Sequence, residues 1–141
     1  MFIGGYFHNL DDKGRVVIPP RFRNQLGERF IITKGLHGCL WILKEDRWTL
    51  IQQRLQTEGM HKELLVLQRF LSGGATECSP DAQGRILIPP VLRDYAHIER
   101  DLVIIGATNR VELWAKEVWN DYNASLSDET IEASLERVDI L

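Results

Sequence analysis

The chain has 141 residues, of which 44% are hydrophobic and 26% charged, a composition typical of one globular domain. Its longest apolar runs, such as residues 102–105, are far too short to cross a bilayer, so we expect no membrane segment. Cys39 and Cys78 are too few for a disulfide framework, and we expect both to be reduced core thiols in a cytoplasmic protein.

The formal net charge of −3 is unevenly distributed along the chain. Residues 112–141 hold eight acidic and two basic side chains, a net of −6, which leaves +3 for residues 1–111. A basic face before the C-terminal segment is therefore compatible with the acidic total. The mild positive excess does not by itself indicate nucleic-acid binding.

The most informative feature is an internal repeat. Residues 11–23 (DDKGRVVIPPRFR) match residues 81–93 (DAQGRILIPPVLR) at an offset of 70, with seven of the thirteen positions identical and three more apolar in both. The similarity continues from 30–32 to 102–104, and from the Leu-Trp pair at 40–41 to the pair at 113–114. Two copies in register predict a fold with internal symmetry.

Each copy predicts the same succession of elements. Asp-x-x-Gly is a turn signature, because Asp accepts backbone N–H groups and Gly tolerates positive φ. In the first copy, the β-branched run that follows predicts a strand up to Pro19, and Pro20 can occupy the first turn of a short helix over 21–26. Two more strands follow in each copy, over about 29–33 and 39–43 and again over 102–105 and 111–114.

Helical spacing appears between the copies and at the C-terminus. The connector is predicted from the apolar residues Trp48, Ile51, Leu55, Leu64, Leu67 and Leu71. Ser127 can cap a last helix, whose stripe of Ile131, Leu135 and Val138 would pack onto its own chain or onto a neighbour.

These elements predict a first β-unit over 5–50, a helical connector over 51–74, a second β-unit over 75–120, and an acidic C-terminal helix or tail over 121–141. Neither half would bury enough surface to be stable alone. We therefore predict a mainly β, α+β fold in which the two units interleave around one core as a pseudo-two-fold barrel.

The motif Asp-x-x-Gly-Arg carries the functional hypothesis. A tight turn would present Arg15 and Arg85, and the planar guanidinium pairs with phosphate or guanine in two-point geometry. The alternative is that Asp11 and Arg15 form only a local ion pair that closes the turn. The recurrence of the pair as Asp81 and Arg85 favours nucleic-acid binding. The positions that follow from this hypothesis are Arg15, Lys13, Arg85, Arg21 and Arg23 as DNA contacts, with Asp11, Gly14, Asp81 and Gly84 shaping the turns.

The copies differ in charge. Asp12, Lys13 and Arg21 are replaced by Ala82, Gln83 and Val91, so the thirteen-residue motif carries +2 in the first copy and +1 in the second. We therefore expect the first copy to meet phosphate more strongly.

The twin motif, the opening Met-Phe-x-Gly, the Leu-Trp pairs and the helical spacer together resemble the MraZ family, bacterial regulators with two tandem SpoVT/AbrB-type swapped-hairpin units. The resemblance spans nearly the whole chain and places the family's Asp-x-x-x-Arg motif on Asp11 with Arg15 and on Asp81 with Arg85. It implies a ring-shaped homo-oligomer, associated with the nucleoid, that binds direct repeats in double-stranded DNA upstream of the division and cell-wall gene cluster beginning with its own gene. Ala82 and Gln83 leave open whether the second copy touches DNA or mainly packs.

Three alternatives were weighed against this hypothesis. Asp11 and Asp81 could form a catalytic carboxylate pair, but an arginine four residues after each would keep it ionised, so we expect no enzyme, no cofactor and no small-molecule substrate. The scattered residues His8, His37, Cys39, His61, Cys78 and His97 lack the spacing of a zinc site, so no metal is expected.

The third alternative is a protein-interaction module of the antitoxin type, because AbrB-type units also occur in antitoxins. Such a protein would more typically carry one copy and a disordered tail. The aromatic residues Trp41, Trp48, Trp114 and Trp119 are expected to pack in the fold rather than to stack on bases.

Overall fold

The computed structural model describes residues 1–56 and 61–140. Its β-strands in chain order are β1 (Gly5–Asn9), β2 (Arg15–Val17), β3 (Phe30–Lys34), β4 (Leu40–Lys44), β5 (Thr76–Cys78), β6 (Arg85–Leu87), β7 (Asp101–Gly106) and β8 (Val111–Ala115). Its α-helices are α1 (Pro20–Leu26), α2 (Glu45–Leu55), α3 (Lys62–Leu67), α4 (Pro90–Ala96), α5 (Lys116–Ala124) and α6 (Asp128–Val138), and a π-helix (Gln68–Ser72) follows α3. Residues 57–60 of the predicted connector lie outside the described residues.

The strands of the two copies share one antiparallel sheet with the order β1-β7-β8-β4-β3-β5. The repeat counterparts are β1 and β5, β3 and β7, and β4 and β8. Exchanging each strand for its counterpart gives the same order read from the opposite edge, so the sheet has a pseudo-two-fold axis between β4 and β8. The first strand of each copy pairs with the hairpin of the other, β1 with β7 and β5 with β3. The halves therefore interleave, and neither has a complete sheet of its own.

The predicted closed barrel is wrong for the described part of the chain. There β1 and β5 are open edges of the six-stranded sheet, while β2 and β6 form a separate two-stranded ladder. Each strand of that ladder has only three residues. Pro19 and Pro89 follow closely and supply no backbone N–H, so the hydrogen-bonded ladder ends there.

The main core lies between the sheet, the ladder and the helices α1 and α4. The helices contribute Phe22 and Leu92, the ladder contributes Val16 and Ile86, and all four side chains are buried. Burying one such side chain completely contributes about 1.5–3 kcal/mol. Each helix begins at the second proline of its Pro-Pro pair, as predicted, because proline is tolerated in the first helical turn.

A second, smaller cluster contains Trp41, Trp114 and Trp119. Here the predicted repeat alignment is wrong. The β3–β4 connection (35–39) is one residue longer than the β7–β8 connection (107–110), so the repeat offset changes between the hairpins. Trp41 consequently lies opposite Glu112 in the β4–β8 register, and these two residues are repeat equivalents. Trp114 corresponds to Leu43 instead. Trp48 and Trp119 remain equivalent, near the starts of α2 and α5.

Glu112 is the buried charge of this smaller cluster, with 7% of its surface exposed. Its carboxylate accepts the indole N–H groups of Trp41 at 3.1 Å and Trp114 at 3.0 Å, and also pairs with Arg110 Nε at 3.0 Å. The Arg110 guanidinium lies 4.9 Å from the ring centre of Trp41. Glu112 therefore ties β4 to β8 at the pseudo-two-fold axis. Trp114 is buried and the other tryptophans are half-buried, which agrees with a packing role.

The C-terminal helix α6 is capped as predicted, because the Ser127 hydroxyl accepts the Thr130 N–H at 3.1 Å. Its apolar stripe is open, since Ile131 is 45% and Val138 64% exposed. No helix in residues 1–56 or 61–140 is long and apolar enough to span a bilayer.

Candidate nucleic-acid interface

Each Asp-x-x-Gly motif forms the predicted tight turn. Asp11 Oδ1 accepts the backbone N–H groups of Lys13 and Arg15, both at 2.9 Å, and Gly14 adopts a φ of +76°. The second copy repeats the arrangement, with Asp81 Oδ1 accepting from Gln83 at 3.0 Å and Arg85 at 2.9 Å. One carboxylate oxygen thus shapes each turn and the other remains for the arginine.

That second oxygen holds the motif arginine. Arg15 Nε donates to Asp11 Oδ2 at 2.9 Å, and Arg85 Nε donates to Asp81 Oδ2 at 2.8 Å. The local ion pair is therefore present, and this is the feature on which the alternative to DNA binding depends. However, each arginine side chain keeps 29% of its surface exposed, so neither guanidinium is sealed inside the protein.

The two motifs meet at one place, which the sequence analysis did not predict. The β2–β6 ladder pairs Val17 with Arg85 and Arg15 with Leu87. As a result, Arg15 Nη1 lies 4.0 Å from Asp81 Oδ2, and Arg85 Nη1 lies 3.9 Å from Asp11 Oδ2. We call these four residues the central cluster; two carboxylates and two guanidiniums share one half-exposed surface built equally from both copies.

Both aspartates of the central cluster stay ionised. The backbone N–H of Arg15 holds the pKa of Asp11 below its ordinary value, and the backbone N–H of Arg85 does the same for the pKa of Asp81. A catalytic carboxylate pair that shares a proton needs one raised pKa. The central cluster is therefore unsuited to that chemistry.

The surroundings of the cluster differ between the copies. Lys13 and Arg21 are exposed in the first copy, where the second copy places exposed Gln83 and Val91. Val91 exposes 69% of its surface. The first-copy motif therefore carries more exposed positive charge than the second-copy motif.

Arg23 is placed differently from the other predicted DNA contacts. It is half-buried, and its Nε donates to the carbonyl oxygen of Ile18 at 2.8 Å. Arg93 makes the same bond to the Ile88 carbonyl at 2.9 Å. Arg93 was not among the predicted site residues, although its identity with Arg23 at the repeat offset is a signal that could have found it.

In residues 1–56 and 61–140, no group of three or more His, Cys, Asp or Glu side chains could hold a metal ion. Cys39 and Cys78 are buried and unpaired with each other. Burial raises the pKa of each thiol to about 12, so both are protonated core residues.

The described residues form a mixed fold of helices and strands rather than the mainly β fold predicted. Fold and site together define a class: an internally duplicated mixed α and β protein whose two Asp-Arg turns converge on one exposed charged surface. A family model described as "MraZ protein, putative antitoxin-like" matches residues 1–69 and again 71–139. The chain belongs to the MraZ family.

Three relatives illustrate the similarity. The "Transcriptional regulator MraZ" of Caldanaerobacter subterraneus subsp. tengcongensis is 46% identical over 140 residues, covering 99% of this chain and 97% of that protein. The protein of the same name from Thermoanaerobacter pseudethanolicus is 46% identical over 143 residues, covering 99% and 100%. A third relative of that name, from Alkaliphilus metalliredigens, is 41% identical over 143 residues, covering 99% and 100%. The name describes a regulator and not an enzyme, which agrees with the predicted absence of catalysis.

Proposed function

We propose that this protein is a sequence-specific DNA-binding transcriptional regulator, cytoplasmic and associated with the nucleoid. The observation that carries the proposal is the convergence of both Asp-x-x-x-Arg motifs in the central cluster, with the exposed Lys13 on the same first-copy turn as Arg15. A guanidinium already held through Nε loses little further freedom when its remaining N–H groups meet a base edge or a phosphate. The names of the relatives support the same role.

The residues divide by task. Arg15 and Arg85 contact bases or phosphates of double-stranded DNA, while Lys13 and Arg21 contact phosphates. The turn residues Asp11, Gly14, Asp81 and Gly84 present the arginines without touching DNA. Because the second copy has Gln83 where the first has Lys13, the first copy makes the stronger phosphate contacts.

The proposed assembly is the ring of subunits that the resemblance to the MraZ family implies. Two swapped-hairpin units, over 5–50 and 75–120, are joined by the connector 51–74, and the segment 121–141 completes each subunit. Identical subunits arranged head to tail in a ring would place their central clusters against successive direct repeats in DNA. Weak contacts from each subunit then add through multivalency. The direct repeats lie upstream of the protein's own gene, at the head of a division and cell-wall gene cluster.

A footprint on the DNA upstream of the protein's own gene, paired with light scattering, tests the proposal. We expect protection of evenly spaced direct repeats and a mass that is a multiple of the 16.3 kDa subunit. A fragment with the repeats scrambled but the composition kept is the control. Equal affinity for both fragments, or a monomer in solution, would count against it.

The description of the matching family as antitoxin-like favours one second candidate, a protein-interaction module. Its occupant would be a stoichiometric protein partner. Affinity capture from nuclease-treated extract distinguishes the two, because a regulator would lose its co-purifying DNA and retain only copies of itself.

A further inference from the structure

Arg23 of α1 and Arg93 of α4 each lie against the glycine turn of the opposite copy. A Cβ atom on Gly84 would stand 2.6 Å from Arg23 Nε, and a Cβ atom on Gly14 would stand 2.9 Å from Arg93 Cζ. Any side chain at these glycines would overlap a guanidinium. Gly14 and Gly84 are thus required both by their positive φ and by the close approach of an arginine from the other half.

Backbone bonds reinforce this crossed arrangement. The Ile18 N–H donates to the Gly84 carbonyl at 2.9 Å, while the Ile18 carbonyl accepts from Arg23 Nε. The Ile88 N–H donates to the Gly14 carbonyl at 3.0 Å, while the Ile88 carbonyl accepts from Arg93 Nε. Arg23, the backbone of Ile18 and the second-copy turn are therefore joined by hydrogen bonds, and Arg93, the backbone of Ile88 and the first-copy turn form the counterpart.

The burial of these arginines separates them from the exposed cations. Arg23 and Arg93 are half-buried and hold a carbonyl through Nε, whereas Lys13 and Arg21 are exposed. The two copies also treat the positions differently: Arg21 is replaced by Val91, but Arg23 recurs as Arg93. The charge that would face a phosphate is lost from the second copy, and the arginine that reaches the first-copy turn is kept.

We propose that Arg93 is a positioning residue for the first-copy turn, which carries Lys13 and Arg15, and that Arg23 positions the second-copy turn, which carries Arg85. This inference rests on the proposed DNA binding. It moves Arg23 from the DNA contacts to the supporting structure. It also gives the second copy a role in binding that its own poorly charged turn does not supply, since the strong first-copy turn is held by a second-copy side chain.

A double-mutant cycle measures the crossing in DNA affinity. Arg93→Met frees the turn that carries Lys13, so the two changes affect the same contact. We expect the fold-loss of DNA affinity in the Arg93→Met, Lys13→Ala double variant to be at least about threefold smaller than the product of the two single-variant fold-losses. The affinity losses caused by Arg23→Met and by Lys13→Ala should multiply in the double variant, because Arg23 holds the other turn. Methionine keeps the apolar stem and removes the Nε donor. The matched control is Arg21→Ala, a change at an exposed position of the same helix α1. Its affinity loss should also multiply with that of Lys13→Ala.

The salt dependence distinguishes a positioning residue from a phosphate contact. Each phosphate contact contributes about 0.9 to the slope of log K against log salt concentration. We expect Arg23→Met to leave that slope unchanged. A slope reduced by a full contact would overturn the assignment of Arg23.

Amide NMR spectra of the free protein test the crossing without DNA and show that each variant is folded. Arg93→Met should shift the amide signals of Gly14 and Arg15 more than those of Gly84 and Arg85, and Arg23→Met should do the reverse. Shifts confined to the variant's own copy, or a Lys13→Ala cycle that multiplies with both variants, would overturn the inference. Crossed amide shifts in the two variants, together with a wild-type protein that binds no DNA, would instead remove the proposed function.

Discussion

At the scale of single residues, one carboxylate performs two tasks in each motif. Asp11 Oδ1 closes the turn through backbone N–H groups, and Asp11 Oδ2 holds Arg15 Nε. A structural ion pair and a nucleic-acid contact are therefore compatible, because the pair occupies only one edge of the guanidinium. The sequence predicted both interpretations as alternatives, and it could not show that the ion pair leaves another edge of the same guanidinium free for a contact.

The depressed pKa of Asp11 and of Asp81 predicts an acid-sensitive fold. In the unfolded chain each carboxyl returns to a pKa of about 3.9. A lowered folded-state pKa stabilises the fold above the unfolded value, and that stabilisation is lost as the pH falls through the folded value. We expect the urea midpoint to drop as the pH falls below about 4, and to drop less in the Asp11→Asn, Asp81→Asn double variant.

Asp12→Asn, a change at the neighbouring exposed aspartate, is the control for this pH series and should keep the wild-type profile. Identical acid profiles for the wild type and the double variant would show that the turn carboxylates are not held as described.

Lys13 predicts a second result at this scale. Its side chain is exposed on the first-copy turn, and a lysine acts as a point charge toward phosphate. We expect Lys13→Ala to weaken binding to all DNA sequences alike and to flatten the salt slope by about 0.9 for each lost contact per subunit. Titrations at several salt concentrations measure both effects. A loss confined to one sequence would instead make Lys13 a base-reading residue.

At the scale of elements, the repeat predicted the turns, the ladder strands, the hairpins and the proline-started helices to within about a residue or two. It missed β1 and β5, short edge strands whose pairing depends on the other copy's hairpin rather than on a local pattern. It also misaligned the tryptophans. The two hairpin connections differ in length by one residue, which shifts the repeat offset, and the Leu-Trp pairs match in sequence although they occupy different structural positions.

The candidate site was also predictable only where it depends on local sequence. Local spacing identified Asp11 with Arg15 and Asp81 with Arg85, because a turn is a short-range structure. The meeting of the two pairs and the crossed position of Arg93 depend on the β2–β6 register, which is long-range. Periodicity within one copy carries no information about that register.

Glu112 predicts the cost of breaking the contact between β4 and β8. Its carboxylate satisfies two indole N–H groups and Arg110, so Glu112→Ala would leave buried donors without an acceptor. We expect the free energy of unfolding to fall by about 3 kcal/mol, measured by urea denaturation with tryptophan fluorescence. Glu99→Ala, at an exposed position, should change it by less than about 0.5 kcal/mol. Equal effects in the two variants would contradict the role of Glu112 at the pseudo-two-fold axis.

At the scale of the whole molecule, negative charge is concentrated in the C-terminal segment. Residues 127–141 hold five acidic and one basic side chain, so a chain ending at Leu126 would carry +1 instead of −3. Since the apolar stripe of α6 is open to solvent, we expect this truncation to leave the urea midpoint nearly unchanged. Binding to non-specific DNA at low salt should rise by about threefold or more through reduced repulsion. Unfolding of the truncated chain would show that α6 is part of the core.

The central claim is that two half-exposed arginines, one from each copy, form a single DNA-contacting surface. Fluorescence anisotropy with an operator fragment and with a scrambled fragment, over a range of salt concentrations, tests it most directly. We expect Arg15→Ala to abolish the preference for the operator and Arg85→Ala to reduce it, while Arg47→Ala on α2 leaves it intact. If Arg15→Ala and Arg85→Ala both bind the operator with wild-type affinity and salt slope, the central cluster is not where this protein meets DNA.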